Sequence, residues 1–375
     1  MESLRPRVVA EVSVSAIKHN YKEIRKHIPK YTEMMAIIKA DAYGHGALQI
    51  AKILQEEGVN RFAVAIAKEG EELRNNGITS PILVLGYTPR ADIKTLIEND
   101  LTQTVFSYDM AKYISDEVAK LNKTVNVHIK VDTGMGRIGF LSNPQSIEEV
   151  QKISKLPHIN MEGIFTHFST ADEEDVSYTK EQWSIFEGFL KELHEVGIDL
   201  PVIHAANSAA IMCHNYADLN VVRPGIILYG YYPSSYLERK VLDLQPAMTL
   251  KSQVVHVKEL PEGNYVGYGR KYYTHQKTKI ATIPIGYADG YSRRLSNKGR
   301  VLIRGQYAPI VGNICMDQFM VDVSHIKDVR VEDEVVIFGT QGDNSIPIEE
   351  IADILGTINY EIMCMIGKRV PRIYV

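Results

Sequence analysis

Met35-Ala36-Ile37-Ile38-Lys39-Ala40-Asp41-Ala42-Tyr43-Gly44-His45-Gly46 is an apolar run that ends in one lysine and opens into a turn of small residues. Met34 to Ile38 show no polar alternation, the pattern of a strand buried on both faces. Strands of that kind belong to parallel sheets covered by helices. Lys39 sits where the strand gives out. Apolar surroundings disfavour its charged form and lower its pKa, and a neutral amine attacks carbonyls to form Schiff bases. The plainer alternative is a lysine whose stem covers apolar surface while its head reaches water.

Outward from that stretch a rhythm holds. Residues 8–14 are rich in β-branched side chains and read as a strand. Ser15 would cap a helix carrying Ile17, Tyr21 and Ile24 at helical spacing. Residues 47–54 form an amphipathic helix ending near Gly58. Strand candidates follow at 62–66, 82–85, 103–106, 125–131, 161–166, 202–205 and 221–223, with helical stretches at 69–75, 92–98, 109–121, 147–154 and 180–196. With the strand before Lys39 these make eight, nearly all separated by a helix. The alternation predicts βαβ units with parallel pairing, and eight units predict an α/β fold with an N-terminal (β/α)8 TIM-type barrel. An open doubly wound sheet is the alternative. Near Leu244 the texture changes. Short runs at 249–257, 278–284, 300–303 and 335–338 are broken by Gly, Pro and Asn, and helical periodicity returns only at 348–355 and 360–366. This predicts a β-rich second domain. The division falls between Asp243 and Pro246, giving a barrel over 1–243, whose opening strand packs with the C-terminal domain, and a β-rich domain over 244–375.

The bulk numbers narrow the function classes. A chain of 375 residues, 45% hydrophobic and 23% charged, can bury a large core and stay soluble. A formal net charge of −4 argues against nucleic-acid partners, which select a basic face. Cys213, Cys315 and Cys364 lie far apart with no Cys-x-x-Cys, which fits a reducing compartment and no structural metal. Met1-Glu2-Ser3-Leu4-Arg5-Pro6-Arg7 has charges but no apolar core after them, unlike a signal peptide. No apolar run approaches the ~20 residues of a membrane span. The expectation is a cytoplasmic protein.

In parallel barrels the working residues stand at the C-terminal ends of strands. Those ends carry Lys39; then Lys130, Asp132 and Arg137; then His167; then Asn207 and Ser208; and finally Arg223, with Pro224-Gly225-Ile226-Ile227 turning into a helix. Gly225 would let backbone N–H groups approach a phosphate there. Taken singly, each has a plain reading. Arg223 could pair with a rim carboxylate, His167 could be a satisfied buried histidine, and Ser208 could cap residues 209–213. Their joint placement favours a site. Gly134-Met135-Gly136-Arg137-Ile138-Gly139 matches G-x-G-x-x-G, but a dinucleotide fingerprint opens a helix directly within the first βα unit. Here Asn143 and Pro144 delay the helix, so no NAD site is expected.

The chain resembles the alanine racemases, pyridoxal-phosphate (PLP) enzymes of the barrel-plus-β-domain type, over its whole length. The resemblance rests on 36–46, on Lys130-Val131-Asp132-Thr133-Gly134-Met135-Gly136-Arg137-Ile138-Gly139, and on Val222-Arg223-Pro224-Gly225-Ile226. It continues through Val266-Gly267-Tyr268-Gly269, Ile283-Pro284-Ile285-Gly286-Tyr287-Ala288-Asp289-Gly290 and Asn313-Ile314-Cys315-Met316-Asp317-Gln318. It implies racemisation of alanine by a two-base mechanism, supplying D-alanine for peptidoglycan, in a homodimer with shared active sites. Lys39 would carry PLP covalently. Tyr43, Ser208, Gly225, Ile226 and Tyr360 would hold the phosphate. Arg223 would face the pyridine nitrogen, and His167 would lie against the cofactor. Tyr268 from the partner subunit would be the second acid/base. Arg137 and the backbone near Met316 would receive the substrate carboxylate, and Tyr287 would help line the entry. Family members often carry a carbamylated lysine where Lys130 stands.

The chemistry suits these groups. PLP is an electron sink for charge at Cα, and racemisation takes a proton from one face and returns one to the other. Tyrosine, with an ordinary pKa of ~10, needs cations nearby to act as a base; Arg137 and the path from Arg223 to His167 offer that field. Arginine stays protonated, so one set against the pyridine nitrogen keeps that nitrogen unprotonated and the sink weak. Tyr268, Tyr287, Tyr360 and Met316 would crowd the entry in favour of a methyl side chain. Rival readings are a racemase of another small or basic amino acid, a barrel-type PLP decarboxylase with Cys315 opposite the lysine, and a non-catalytic PLP-binding barrel.

Overall fold

The computed structural model describes residues 6–237 and 241–375. The first five residues of the charged N-terminus lie outside the described part. The chain divides into two compact units: residues 16–42 and 46–245 form one, and residues 1–15, 43–45 and 246–375 form the other.

The strands in chain order are β1 (Val8–Val12), β2 (Glu33–Ile37), β3 (Arg61–Val64), β4 (Ile82–Val84), β5 (Thr102–Val105), β6 (Val125–Asp132), β7 (Phe140–Leu141), β8 (Ile159–Phe165), β9 (Val202–His204) and β10 (Val221–Val222). In the first unit β5, β4, β3, β2, β10, β9, β8 and β6 run side by side, and β5 pairs with β6 to close the ring. Every pairing in the ring is parallel. This is the expected closed eight-stranded barrel, and the open-sheet alternative falls. The short β7 was not foreseen; it pairs with β6 outside the ring.

The barrel helices follow their apolar spacing. Ala47–Glu56 buries Ile50, Ala51, Ile53 and Leu54 on one face. Tyr108–Lys120 is capped by Ser107, whose hydroxyl accepts from the Met110 N–H. As expected, the helix after the glycine-rich run is deferred to Asn143, whose side chain caps Pro144–Ile153 with the proline at its first position. The helix Val14–His27 begins one residue before Ser15, which therefore sits inside the first turn and is not its cap.

In the second unit β1 pairs antiparallel with Met248–Gln253 and parallel with Arg372–Tyr374. That sheet continues through Glu334–Gln341, Arg300–Ile303 and Gln306–Pro309. The expected single run over 249–257 breaks after Gln253, because His256–Leu260 belongs to another sheet with Thr278–Ile283 and Phe319–Asp322. A helix forms at Ile348–Leu355 as predicted, and another at Asn359–Met365. No helix among the described residues is long and apolar enough to cross a membrane.

Candidate active site

β2 ends at Ile37, and Lys39 follows at the C-terminal end of the barrel. Ala40, Asp41, Ala42 and Tyr43 then all have φ between 51° and 54°. This is a left-handed helical turn built without glycine, which costs about 1–2 kcal/mol per residue. It needs anchors. The Glu69 carboxylate accepts the Ala40 N–H at 2.6 Å, and Asp41 accepts the Ala47 N–H at 2.7 Å. Strain anchored in this way clusters at working sites, and here it directly follows the candidate Lys39.

Arg223 follows β10 and is buried. Its Nη2 donates to the Thr166 and Ala205 carbonyls at 2.8 and 2.9 Å and reaches His167 Nδ1 at 3.3 Å. Its Nη1 donates to His204 Nδ1 at 2.8 Å. No carboxylate among the described residues touches it, so the rim ion pair does not form with any of them. None of these bonds uses Nε. Burial pushes its pKa down to about 9, which still leaves the guanidinium charged at neutral pH. His167 is held well below the usual histidine range, first by burial and then by Arg223, Arg137, Lys130 and Lys39. Four of the candidate residues thus bear on one neutral imidazole.

Lys130, in β6, is buried, and its ammonium donates to the Val131 carbonyl at 2.6 Å. Burial first, then the charges of Arg223 and Arg137, push it down to about 7, against a weaker upward pull from Asp132. The glycine-rich loop after β6 wraps a carboxylate of its own: Asp132 Oδ1 accepts the Gly134 and Gly136 N–H groups, each at 3.0 Å. Those amides are therefore taken, which removes the dinucleotide alternative. Arg137 is exposed and makes no hydrogen bond or ion pair with any described residue.

Ser208 is not a helix cap. Asn207 caps Ser208–Cys213 by accepting the Ala210 N–H at 3.0 Å. The Ser208 hydroxyl instead accepts the Gly225 N–H at 2.9 Å. The helix expected after Gly225 is one 3-10 turn, Ile226–Tyr229, so this segment offers an anion N–H groups rather than a helix dipole. The N–H of the fully buried Ile226 donates to no described residue. A hydroxyl and an unused amide at neighbouring strand ends fit a phosphate.

The second unit carries the other candidates. Tyr43 and Tyr360 have ring centroids 6.0 Å apart, and burial pushes the Tyr43 phenol far up, so it remains a hydrogen-bond donor. Gly44, at φ +80°, packs so tightly that a Cβ would stand 2.4 Å from the Met363 carbonyl oxygen. Tyr268 stands on a turn shaped by Gly267 and Gly269, at φ 73° and 72°, with its carbonyl held by the Asn313 side chain at 2.7 Å. Tyr287 and Met316 are brought together by backbone bonds from Tyr287 to Cys315 and from Ala288 to Met316. Tyr268, Tyr287 and Met316 are 75%, 44% and 53% exposed.

Sequence reasoning missed His204 and His128. His204 stacks on Phe165 with centroids 4.7 Å apart, and its Nε2 lies 2.8 Å from His128 Nδ1. The signal was present as histidines inside otherwise apolar barrel strands.

Comparison with known proteins places this constellation. The family profile "Alanine racemase, N-terminal domain" matches residues 12–233, and "Alanine racemase, C-terminal domain" matches 247–374. The alanine racemase of Clostridium tetani is 52% identical over 99% of this chain and 96% of its own. That of Methanococcus maripaludis is 52% identical over 97% of this chain and 98% of its own. Among solved structures, alanine racemase from Clostridium difficile 630 superposes with a TM-score of 0.96 at 45% identity, covering 100% of this chain and 97% of that one. The Bacillus anthracis alanine racemase with bound L-Ala-P gives 0.93 at 40% identity, covering 99% and 96%. On sequence and fold alike, the chain belongs to the alanine racemase family.

Proposed function

We propose that this protein interconverts L- and D-alanine with PLP as cofactor and so supplies D-alanine for peptidoglycan from the cytoplasm. The observation that carries the reading is Arg223: a buried guanidinium at the end of β10 whose partners are all neutral acceptors. A decarboxylase would set an acid at that place. The donor set fits the cofactor. Lys39 would supply the amine that holds it, Arg223 would stand against its ring nitrogen as a donor, and His167 would offer a neutral surface. Ser208, Tyr43 and Tyr360 would supply hydroxyls for its phosphate and Ile226 an amide, with the Gly225 N–H holding the Ser208 hydroxyl in place. Bound there, PLP supplies an electron sink for charge developing at the alanine Cα.

The rest belongs to the chain's own residues. Lys39 Nζ removes or returns the Cα proton on one face. The Tyr268 phenol of the partner subunit serves the other face, so the barrel of residues 1–243 in one copy works with the 244–375 domain of the other in a homodimer. The exposure of Tyr268 supports that role, because its own unit leaves the phenol uncovered. Arg137, without a partner among the described residues, and the backbone at Met316 receive the substrate carboxylate, and Tyr287 narrows the entry. A pocket of this kind rejects an added methylene by only ~1–3 kcal/mol, so slow turnover of serine is expected. Lys130, near neutrality in the fold, adds CO2 as R–NH2 + CO2 → R–NH–COO− + H+, placing a carboxylate where Arg137 can meet it.

The test is the appearance of D-alanine from L-alanine, read by a chiral assay on purified protein incubated with PLP. Racemisation that disappears in Lys39→Ala and after borohydride treatment supports the reading. Decarboxylation without racemisation would overturn it.

A further inference from the structure

Barrel interiors are ordinarily filled by branched apolar side chains, yet this one contains a row of polar groups running down from Arg223. Arg223 Nη1 meets His204 Nδ1 at 2.8 Å, and His204 Nε2 meets His128 Nδ1 at 2.8 Å. His128 Nε2 faces Glu162 Oε2 at 3.5 Å, longer than an ordinary hydrogen bond, and that oxygen is buried with no hydrogen-bond partner among the described residues. Arg61 then bridges Glu162 at 2.9 Å and Glu33 at 2.8 Å. His204 and His128 are 0% and 1% exposed, whereas the Glu33 side chain at the N-terminal rim is 45% exposed.

The row has one proton direction. Arginine only donates, so His204 Nδ1 must accept and its hydrogen must sit on Nε2. That hydrogen goes to His128 Nδ1, which leaves the His128 hydrogen on Nε2, aimed at a carboxylate. Both rings are neutral, because burial lowers the pKa of each. Glu162 is held down to about 2, first by His128 and then by Arg61, against desolvation. The space is built for the ring as well. A Cβ on Gly163 would stand 2.8 Å from His128 Cε1 and 2.7 Å from the Val202 carbonyl oxygen. β6 shifts register against β8 between Val127 and His128.

We propose that His128, Glu162 and Arg61 are positioning residues for Arg223: the carboxylate pinned by Arg61 faces the hydrogen that the row delivers to its lower end, so the arrangement that leaves His204 Nδ1 bare for the guanidinium is favoured from both ends. The unfilled Glu162 oxygen costs stability; a row whose hydrogens all point one way holds the guanidinium in a single pose in return. Any link to catalysis rests on the function proposed above, but the tautomers do not.

The experiment is long-range 1H–15N correlation spectroscopy of histidine side chains in the cofactor-free protein, assigned by single substitutions. The expected spectrum shows His204 and His128 both as neutral Nε2–H forms. An Nδ1–H form or an imidazolium at either position overturns the proposal, whatever the enzyme catalyses. In Glu162→Gln the His128 Nε2–H loses its anionic neighbour, so its 1H and 15N shifts should move while the ring keeps the tautomer that His204 demands, and in the PLP-loaded protein kcat should fall roughly tenfold with KM unchanged, the scale on which outer hydrogen-bond partners act on the group they hold. If Glu162→Gln does not fold, Arg61→Gln makes the same test from the next position. Unchanged His128 shifts and unchanged kcat in the variant would reduce the row to packing and overturn the proposal. Correct tautomers in a protein that does not racemise would sink the functional reading alone.

Discussion

In the barrel, Arg223 and Lys130 are buried and His167 is hemmed in, each fixed by named partners or by neighbouring charge. In the β-rich unit, Tyr268, Tyr287 and Met316 are held by their backbones while their side chains face outward. The difference separates two kinds of readiness. Burial sets the charge state of the barrel groups in advance. The β-rich unit sets position and leaves the environment of its phenol to whatever covers it.

The largest effect should come from removing the barrel amine. Lys39→Ala is expected to lower racemisation by on the order of 10⁴-fold or more, since holder and base go together. Tyr268→Phe should cost about 10²–10⁴-fold in kcat, the range for a general acid–base group. It should leave the melting temperature unchanged, because the side chain is 75% exposed. A large drop in melting temperature would show that the phenol is structural. Gly44→Ala acts on stability instead. A side chain there needs φ +80° and drives a Cβ to 2.4 Å from the Met363 carbonyl oxygen, so denaturant melts should show a loss of roughly 2–4 kcal/mol.

Lys130 gives the most pH-dependent effect. Its folded pKa, about 7, lies below the unfolded value of ~10.4. Between those values the unfolded chain binds more protons, so stability rises with pH, and the gain is lost as pH falls through about 7. Urea melts without bicarbonate should show a rise of a few kcal/mol from about pH 7 to ~10. Lys130→Met should flatten it, and a flat profile in the unsubstituted protein would mean that Lys130 is not buried as a free amine.

Much of this was legible in the residues. The barrel could be read because βα alternation leaves a period, and parallel strands buried on both faces leave apolar runs. Lys39, Arg223 and His167 could be read because they close such runs. The left-handed turn after Lys39 could not: Ala40, Asp41 and Ala42 give no local sign of positive φ, and the turn is held by Glu69, 29 residues away from Ala40. Ser208 looked like a cap because serine often is one; its neighbour Asn207 takes that task and frees the hydroxyl for Gly225. The break at Gln253 was hidden because strands of two different sheets follow each other with almost no turn between them.

The most direct measurement mixes two dead proteins. Lys39→Ala retains the phenol and Tyr268→Phe retains the amine, so a dimer with one chain of each keeps one whole site in two. After subunit exchange, verified by native mass spectrometry, an equal mixture should recover about a quarter of the unsubstituted rate, from random pairing across a two-fold interface. A mixture that forms hetero-oligomers yet stays at the rate of its parents would contradict a site shared between chains.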